Sequence, residues 1–259
     1  MDKKTNTQTP GNPFRAIEQA KVDTYNQSQG EDDGTGIQCA DCNNRGNIAF
    51  LSDGGVFTVR QCKCAGTRLT VSRLKKQGLY EMAKEKTLAK FYTDTEARKA
   101  SKSLVQRFIA ESGPHWLIMC GQPGTGKSHL CTAAFVQLSL KRGMNGRYLL
   151  WVSDGRRIKA AAKDGDERLI NDFKKCELLY IDDLFKCKRD SEPSDADIRL
   201  AFEILDHRYN HKLKTIISTE MLLEEIRDLD EAVYRRVREM CGPYIGNIGR
   251  DPGKCYMPG

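Results

Sequence analysis

The chain has 259 residues, of which 30% are charged and 39% hydrophobic, and this composition excludes a collagenous, fibrous or wholly disordered protein. No run approaches the roughly 20 apolar residues that a membrane-spanning helix requires, and the polar start MDKKTNTQTPGN lacks the apolar segment of a secretion signal, so we expect a cytoplasmic protein. The net charge of +7 allows an anionic partner without demanding one. In a reducing compartment, the ten cysteines favour metal binding or free thiols over disulfides.

Three segments precede the apolar runs of the C-terminal half. Residues 1–36 are polar and end in SQGEDDGTG, which predicts a flexible tail with room for a short helix around residues 14–20. Residues 37–67 hold four cysteines and the alternating stretch NIAFLSDGGVFTVRQ, whose Asp-Gly-Gly is typical of a hairpin turn. Residues 68–112 are charge-rich and helix-favouring, which predicts a helical connector.

The four cysteines of this small module are spaced as metal ligands. Two residues separate Cys39 from Cys42, one separates Cys62 from Cys64, and the predicted hairpin joins the pairs. Such a hairpin places four thiolates within tetrahedral reach of one zinc ion, and four protein ligands make a closed, structural site. An iron–sulfur cluster or a redox pair is the alternative. The other six cysteines lack ligand spacing and are predicted to be packing thiols.

Residues 113–259 alternate strand-like with helix-like stretches. The strand-like runs are HWLIMC, RYLLWVS, LLYID and TIIST, and the stretches between them include KSHLCTAAFVQLSLKRG and DADIRLAFEILDHRYNHK. This alternation is typical of βαβ units, in which helices cover a parallel sheet. The sequence therefore predicts an α/β fold for the C-terminal half.

The stretch GQPGTGKS at residues 121–128 matches the eight-residue phosphate-binding loop. It lies between a predicted strand and a predicted helix, which is the context that the motif requires. Its glycines let backbone N–H groups face a β-phosphate, Lys127 reaches the β and γ oxygens, and the Ser128 hydroxyl ligates magnesium. The sequence therefore predicts a nucleotide-binding protein that uses magnesium.

Two later strands end in polar side chains. LLYIDD ends in Asp182, which we predict to belong to the magnesium shell, and in Asp183, which we predict to polarise the attacking water. Many P-loop ATPases of the AAA+ kind carry Glu at the second position, and the shorter Asp predicts slow hydrolysis. TIISTE ends in Thr219 and Glu220, which are candidates for contact with the γ-phosphate or the water. Polar residues that merely end a strand are the alternative for both segments.

Adjacent arginines lie on a predicted helix near the C-terminus. In DEAVYRRVREM, Arg235 and Arg236 follow an acidic first turn, as the helix dipole favours. An arginine finger acts from a neighbouring subunit on the charge of the transferred phosphate, so this role requires an oligomer. Arginines on helices are usually solvated, and the sequence alone favours that interpretation.

These motifs together resemble one family. The four-cysteine module, RLKKQGLYEM, GQPGTGKSHLCTA, LLYIDDLFK, DADIRLAFEILDHRYN, TIISTE and DEAVYRRVREM occur in the order found in the DnaC/DnaI-type AAA+ helicase loaders, especially the DnaC-like proteins of phages and Gram-positive bacteria. The resemblance covers about residues 37–248 and implies an AAA+ ATPase domain over residues 113–259. It implies that the N-terminal part binds a hexameric DnaB-type replicative helicase, and that the ATPase helps place this ring on single-stranded DNA.

The resemblance also implies roles for particular residues. The implied nucleotide contacts are Gly121, Gln122, Pro123, Gly124, Thr125, Gly126, Lys127, Ser128 and His129. The implied catalytic residues are Lys127, Asp182, Asp183, Thr219 and Arg236, with Arg235 as a second candidate finger, and the implied sensor I segment runs from Ser218 to Glu220. DNA contacts are implied at Arg156, Arg157 and Lys159 and at Lys186, Lys188 and Arg189, although solvated basic faces explain both clusters as well. Relatives often carry an arginine where this chain has Met257, and Arg250 is the candidate substitute.

Three other functions remain open at this stage. An IstB-like transposition ATPase shares the AAA+ core but differs before it. A nucleotide-gated adaptor would bind ATP and its partner without meaningful turnover, as Asp183 suggests. A zinc-containing, single-stranded DNA-binding protein with a regulatory ATPase would need aromatic stacking platforms, and the aromatic residues do not cluster near the cysteines.

Overall fold

The computed structural model describes residues 13–187 and 191–248. The chain divides between Arg73 and Leu74 into two compact units, and each is described by itself. Three residues with predicted roles, Lys188, Arg189 and Arg250, lie outside the described residues, and so does Met257, which stands where relatives often carry an arginine. Within the described ranges, none of the helices has both the length and the apolar content needed to cross a bilayer.

The first unit is built around a β-hairpin. Its elements are helix α1 (Pro13–Gln27), a 3-10 turn (Ala40–Cys42), strands β1 (Asn47–Leu51) and β2 (Phe57–Gln61), and the start of helix α2 (Ala65–Lys76). Strand β1 pairs antiparallel with β2, with Asn47 opposite Gln61 and Leu51 opposite Phe57. The turn is closed by the Gly55 N–H, which donates to the Ser52 carbonyl, and Gly55 has a φ of +74° that favours glycine. The predicted hairpin is confirmed.

Helix α1 lies where the composition predicts a flexible tail. The Asn26 side chain pairs with the Ala49 backbone twice, accepting from its N–H and donating to its carbonyl, both at 2.9 Å. The Glu18 carboxylate accepts the Phe57 N–H at 3.0 Å, and the Tyr25 and Phe57 rings meet edge to face. These contacts with the hairpin are largely polar, and polar contacts are not visible in a count of apolar residues. The helix is also longer than the segment predicted around residues 14–20.

The second unit contains a five-stranded sheet. Its strands are β3 (Leu117–Gly121), β4 (Gly146–Leu150), β5 (Leu178–Asp182), β6 (Lys214–Ser218) and β7 (Ile245–Ile248). The order across the sheet is β4-β5-β6-β3-β7, and every neighbouring pair is parallel. The predicted α/β fold with a parallel sheet is confirmed. Strands β3, β5 and β6 are buried along their whole length, because helices cover both faces of the sheet.

Two apolar cores lie against the sheet. One includes side chains from helices α6 (Trp151–Lys163), α7 (Arg168–Lys175), α8 (Asp195–Asn210), α9 (Leu223–Leu229) and α10 (Glu231–Cys241). The other includes side chains from helices α4 (Glu96–Ala110) and α5 (Lys127–Lys141) and from the segment around helix α3 (Tyr80–Glu85). The connector predicted over residues 68–112 therefore supplies core residues of the second unit, among them Leu79, Phe91 and Phe108.

Strand β4 is shorter than its apolar pattern suggests. The run RYLLWVS predicts a strand to residue 153, but β4 ends at Leu150 and helix α6 begins at Trp151. The Asp154 carboxylate accepts the Leu150 N–H at 2.9 Å, which satisfies a backbone donor where the strand turns into the helix. Trp151 is buried in the core beside Phe185, so this apolar residue packs as the first residue of α6 and not as part of a strand.

Candidate nucleotide site and four-cysteine cluster

The predicted phosphate-binding loop joins strand β3 to helix α5. Gly121, Gly124 and Gly126 have φ values of +118°, +73° and +88°, in a region that side chains disfavour. Helix α5 begins at Lys127, within the last two residues of the motif, so its N-terminal N–H groups and the positive end of its dipole lie at the loop. The backbone therefore has the conformation by which such loops hold phosphate groups.

Lys127 is held inside this loop. Its side chain is buried, and Nζ donates to the Gln122 carbonyl oxygen at 2.6 Å. Burial lowers the pKa of Lys127, and the carboxylates of Glu220 and Asp183 act in the opposite direction. A partly desolvated ammonium attracts an incoming anion more strongly than one in water does, because the local dielectric constant is lower.

Four hydroxyl groups converge on the Asp182 carboxylate at the end of β5. Oδ1 accepts from Ser128 at 2.9 Å, from Tyr180 at 2.7 Å and from Ser218, and Oδ2 accepts from Tyr148 at 2.9 Å. Ser128 and Asp182, the two predicted magnesium ligands, are thus in direct contact. Oxygen donors of this kind are the ones that magnesium prefers in proteins, so the residues fit that ion.

The two tyrosines were not among the predicted site residues. Tyr180 lies two positions before Asp182 on the same strand, so both point to the same face of the sheet, and this spacing is a signal the sequence does contain. Tyr148 lies on the neighbouring strand, directly opposite Tyr180, and only the strand register reveals it. Burial raises the pKa of both phenols, so they remain protonated donors to the carboxylate.

The loop opens onto a cavity of about 790 Å³, which is within the range of small-molecule sites. Residues 123–129, Asp183, Lys186 and Glu220 line it together with the segment 85–92 between helices α3 and α4, which no motif marked. His129, a predicted nucleotide contact, lies in this lining, and its Nε2 is 2.7 Å from the Thr87 carbonyl oxygen. The segment 85–92 therefore forms one wall of the site.

Asp183, Lys186 and Glu220 meet in the cavity. Lys186 Nζ lies 2.9 Å from an Asp183 carboxylate oxygen and 2.8 Å from a Glu220 carboxylate oxygen. Burial acts against the charged ammonium, but the hydrogen bonds to Glu220 and Asp183 outweigh burial and raise the pKa of Lys186. The sequence assigns Lys186 to a basic cluster for DNA, whereas the structure places it beside the predicted catalytic carboxylate.

The end of β6 presents Ser218 to the site rather than Thr219. Thr219 is fully buried, and its hydroxyl donates to the Leu184 carbonyl at 2.8 Å. Ser218 Oγ donates to Asp182 and accepts the Asp183 N–H at 3.0 Å. Thr219 therefore supports the backbone after β5 instead of lining the cavity, because it follows Ser218 and points to the opposite side.

The two candidate arginine fingers differ in their surroundings. Arg236 forms an ion pair with Asp206, donates to the Ala232 carbonyl at 2.9 Å and lies 4.6 Å from the centre of the Phe202 ring. Arg235 is exposed and pairs with Glu231. Arg236 thus connects α10 to α8 within one chain, and a role in a neighbouring subunit stays a prediction.

The predicted DNA-contacting residues of helix α6 also differ among themselves. Arg156 and Arg157 are exposed, and Arg157 pairs with Asp154 at 2.9 Å. Lys159 is largely buried in an ion pair with Asp197 at 2.5 Å. Of these three predicted residues, the two arginines are therefore exposed, whereas Lys159 joins α6 to the start of α8.

The four predicted metal ligands come together in the first unit. The Sγ atoms of Cys39, Cys42, Cys62 and Cys64 all lie within 4.8 Å of one another. Cys39 and Cys62 are 3.8 Å apart and Cys42 and Cys64 3.5 Å apart, far beyond the roughly 2.05 Å of a disulfide. Tetrahedral zinc with Zn–S bonds of about 2.3 Å requires sulfurs about 3.8 Å apart. The cluster therefore fits a zinc ion with four protein ligands. Such an ion would stabilise the first unit and would have no open coordination position.

Arg68 contacts the cysteine cluster through Cys64. Its side chain is 8% exposed, Nε donates to Cys64 Sγ at 3.3 Å, and the two terminal nitrogens bind the Asp33 carboxylate and the Ile37 carbonyl. The Thr35 hydroxyl and the Arg68 guanidinium lower the pKa of Asp33 to about 2. Ligand spacing identifies the cysteines, but it carries no information about the residues that contact them. The sequence therefore does not predict the role of Arg68.

Strand β6 lies between the phosphate-loop strand β3 and the strand β5 that carries Asp182. This order, with the loop opening a helix and an acid ending β5, defines the AAA+ class of P-loop proteins. The chain belongs to the family of IstB-like ATP binding proteins, whose model matches residues 58–232.

The chain is 30% identical over 202 residues to the protein YqaM of Bacillus subtilis strain 168, covering 74% of this chain and 64% of YqaM, less than two thirds of its length. It is 26% identical over 225 residues to XkdC, a protein of the phage-like element PBSX in the same strain, covering 83% of this chain and 84% of XkdC. The chain is also similar to the crystal structure of the DnaC helicase loader, with a TM-score of 0.53 and 21% identity. The alignment covers 65% of this chain and 97% of the DnaC chain. These comparisons confirm the AAA+ fold and the predicted resemblance.

Proposed function

We propose that this protein is an ATPase that binds a hexameric, DnaB-type replicative helicase and helps place it on single-stranded DNA. The observation that carries the ATPase part is a cavity lined by Lys127, Ser128, Asp183 and Glu220, with Asp182 in contact with Ser128. The likeness to the DnaC helicase loader and the order of the motifs support the loading role.

The side chains divide the hydrolytic work. The loop N–H groups and Lys127 hold the phosphates, and Ser128 and Asp182 would hold magnesium, which neutralises charge on the β and γ oxygens. Asp183 lies in the same cavity and accepts a proton from the water that attacks the γ-phosphorus. Because Asp is one methylene shorter than Glu, the carboxylate reaches the water less well, and we expect slow turnover.

The first unit supplies a surface suited to a protein partner. Phe14 is 75% exposed, Ile17 55% and Val56 60%, all in the unit whose cysteine cluster fits zinc. Large apolar side chains exposed together on one small unit are typical of protein-binding surfaces. We assign helicase binding to this surface and single-stranded DNA binding to the region of Arg156 and Arg157, whose exposed guanidinium groups suit phosphates.

The decisive experiment is a pull-down of the full-length protein with the replicative helicase of its source organism, with ATP and with ADP. A Phe14→Ser/Ile17→Ser variant should lose binding. Val152→Ser should retain it, because Val152 is an exposed apolar residue of the second unit. Lys127→Ala should lose nucleotide binding, which shows whether capture of the helicase depends on nucleotide.

The IstB-like family match favours a second candidate, an ATPase that acts on a transposition complex. No helicase capture under any nucleotide, together with retained ATP hydrolysis, would favour this candidate. ATP binding and helicase capture without measurable hydrolysis would instead support a nucleotide-gated adaptor. If DNA binding persists in Lys127→Ala and the protein captures no helicase, a single-stranded DNA-binding protein with a regulatory ATPase is favoured.

A further inference from the structure

Besides Lys127, the nucleotide cavity is lined by Lys86, Lys90 and Lys186. Lys186 is the one that pairs with the cavity carboxylates Asp183 and Glu220, at 2.9 and 2.8 Å. Lys127 comes from the phosphate loop, whereas Lys186 comes from the turn after β5, on the side of the predicted attacking water. The cavity therefore has cations from the segment after α3, from the phosphate loop and from the turn after β5, and only the last of these is placed beside Asp183.

The backbone after β5 is shaped to return Lys186 to the cavity. Asp183 and Phe185 have φ values of +59° and +63°, a region that residues with side chains seldom adopt. The Asp183 N–H donates to Ser218 Oγ, the Leu184 N–H donates to the Ser218 carbonyl, and the Lys186 N–H donates back to the Asp183 carbonyl. Leu184 and Phe185 are buried, so the turn is fixed by packing as well as by hydrogen bonds. An unfavourable backbone held in this way at a cavity points to a functional constraint.

The two carboxylates that Lys186 contacts would repel the negatively charged phosphates of ATP. Asp183 and Glu220 both line the cavity that would hold the terminal phosphate, and like charges repel one another. With its ammonium between them, Lys186 offsets their charge. The γ-phosphate of ATP is a more highly charged partner than either carboxylate, and ADP lacks it. The γ-phosphate of bound ATP therefore competes with the two carboxylates for the Lys186 ammonium. Bound ADP, which has no γ-phosphate, does not.

We propose that Lys186 is a catalytic residue that distinguishes ATP from ADP, by moving its ammonium from Asp183 and Glu220 to the γ-phosphate. This inference rests on the proposed function, because it takes the cavity to be an ATPase site. Release from Lys186 leaves the Asp183 carboxylate able to accept a proton. In the chemical step the water oxygen bonds to the γ-phosphorus, the bond to the bridging oxygen breaks with its electron pair remaining on ADP, and the water proton passes to Asp183. When phosphate leaves, Lys186 returns to the two carboxylates.

The test measures the affinities of the full-length protein for ADP and for a non-hydrolysable ATP analogue by calorimetry, with magnesium present. Lys186→Gln should weaken binding of the ATP analogue by about tenfold, as loss of a charge-assisted contact does, and leave ADP affinity within about twofold. Lys186→Arg keeps the charge and should preserve the preference for ATP. The matched control is Lys163→Gln, which removes an exposed lysine at the end of α6 and should change neither affinity.

Each result decides between the inference and its alternatives. Equal weakening of both ligands, or no change in either, would overturn the inference and leave Lys186 with a structural ion pair. Failure of the wild-type protein to bind either nucleotide would overturn the proposed function as well, so the two failures are distinguishable. If Lys186→Gln does not fold, Glu220→Gln gives an independent answer. It removes one competitor for Lys186 and should raise the affinity for the ATP analogue relative to ADP, and a fall in that ratio would overturn the inference.

Discussion

Arg236 illustrates how one side chain can have a structural and a catalytic assignment at once. Its ion pair with Asp206 and its position over the Phe202 ring join helices α8 and α10. The side chain is only 24% exposed, so this pair is better shielded from solvent than the neighbouring pair of Arg235 with Glu231. We therefore expect Arg236→Ala to lower the free energy of unfolding by about 1–2 kcal/mol and Arg235→Ala by less than about 0.5 kcal/mol.

The variant Asp206→Ala separates the two assignments of Arg236. It breaks the same ion pair but keeps the guanidinium group that a finger would contribute to a neighbouring subunit. If Arg236 is a finger, Arg236→Ala loses oligomer-dependent ATP hydrolysis but keeps nucleotide binding, whereas Asp206→Ala keeps both. Denaturant unfolding and ATPase rates over a range of protein concentrations measure the two effects. Equal hydrolysis by the two variants would remove the finger assignment.

Arg68 is the second residue whose role follows from its contacts. A cluster of four thiolates with one zinc ion carries a net charge of −2, and Arg68 donates to Cys64 Sγ from a buried position. Loss of a partner that contacts a metal ligand typically costs 10–100-fold in metal affinity. Arg68→Gln should therefore weaken zinc binding by at least about tenfold in a competition titration with a chromophoric chelator. Arg60→Gln, an exposed arginine on β2, should leave the affinity unchanged, and equal effects of the two variants would contradict the role of Arg68.

At the scale of elements, strand β4 is an edge strand of the sheet, but the backbone groups of its first residues are partly hydrogen-bonded by a side chain. The Gln77 side chain accepts the Tyr148 N–H at 3.0 Å and donates to the Gly146 carbonyl at 3.4 Å, as a neighbouring strand would. An unpaired strand edge invites pairing with other chains, and this side chain covers part of it. The connector segment thus contributes backbone-like hydrogen bonds to the sheet in addition to its apolar core residues.

The approach of β4 to helix α5 depends on a glycine. A Cβ atom placed on Gly146 would lie 2.6 Å from the Phe135 ring and 2.8 Å from Ser139 Oγ, closer than non-bonded atoms approach. Both neighbours are buried, so they have little room to move. Gly146→Ala should therefore lower the free energy of unfolding by about 1–3 kcal/mol, the usual cost of overpacking a core.

A double-mutant cycle measures this packing directly. Phe135→Leu removes the ring that the new methyl group would meet, so Gly146→Ala should cost less in the Phe135→Leu background than in the wild type. Chemical denaturation of the four proteins gives the interaction energy between the two positions. Additive effects would mean that the clash with the ring does not limit the approach of α5 to β4.

For the whole molecule, the features that the sequence predicts are those carried by short local motifs. The phosphate loop, the acid at the end of β5 and the four cysteines are short motifs, and each is found where the pattern requires. Contacts between distant segments are not encoded locally. For this reason the sequence predicts a short helix near residues 14–20 but not its contacts with the hairpin, nor the Tyr148 hydroxyl at Asp182, nor the wall formed by residues 85–92. Lys186 was assigned to DNA because it belongs to a run of basic residues, whereas the left-handed turn directs it into the cavity.

Each of the two units has its own source of stability, and this leads to the last prediction. The buried residues of the second unit form two extensive apolar cores, but the cysteine cluster packs against few apolar side chains. A small unit with so little apolar burial needs its metal to fold, because metal binding supplies the missing free energy. We therefore expect elemental analysis to find one zinc per chain, and a chelator to unfold the first unit.

Nucleotide binding should survive this loss of zinc, because the described residues that line the cavity all belong to the second unit. Far-ultraviolet circular dichroism should show a partial loss of signal on chelation, with ATP affinity retained within about twofold. Cys42→Ser should reproduce the effect of the chelator, since Cys42 belongs to the cluster. Cys187→Ser should not, because the Cys187 thiol lies outside the cluster and contacts the Phe185 carbonyl. Iron in place of zinc would overturn the metal assignment, and simultaneous loss of ATP binding would show that the two units fold as one.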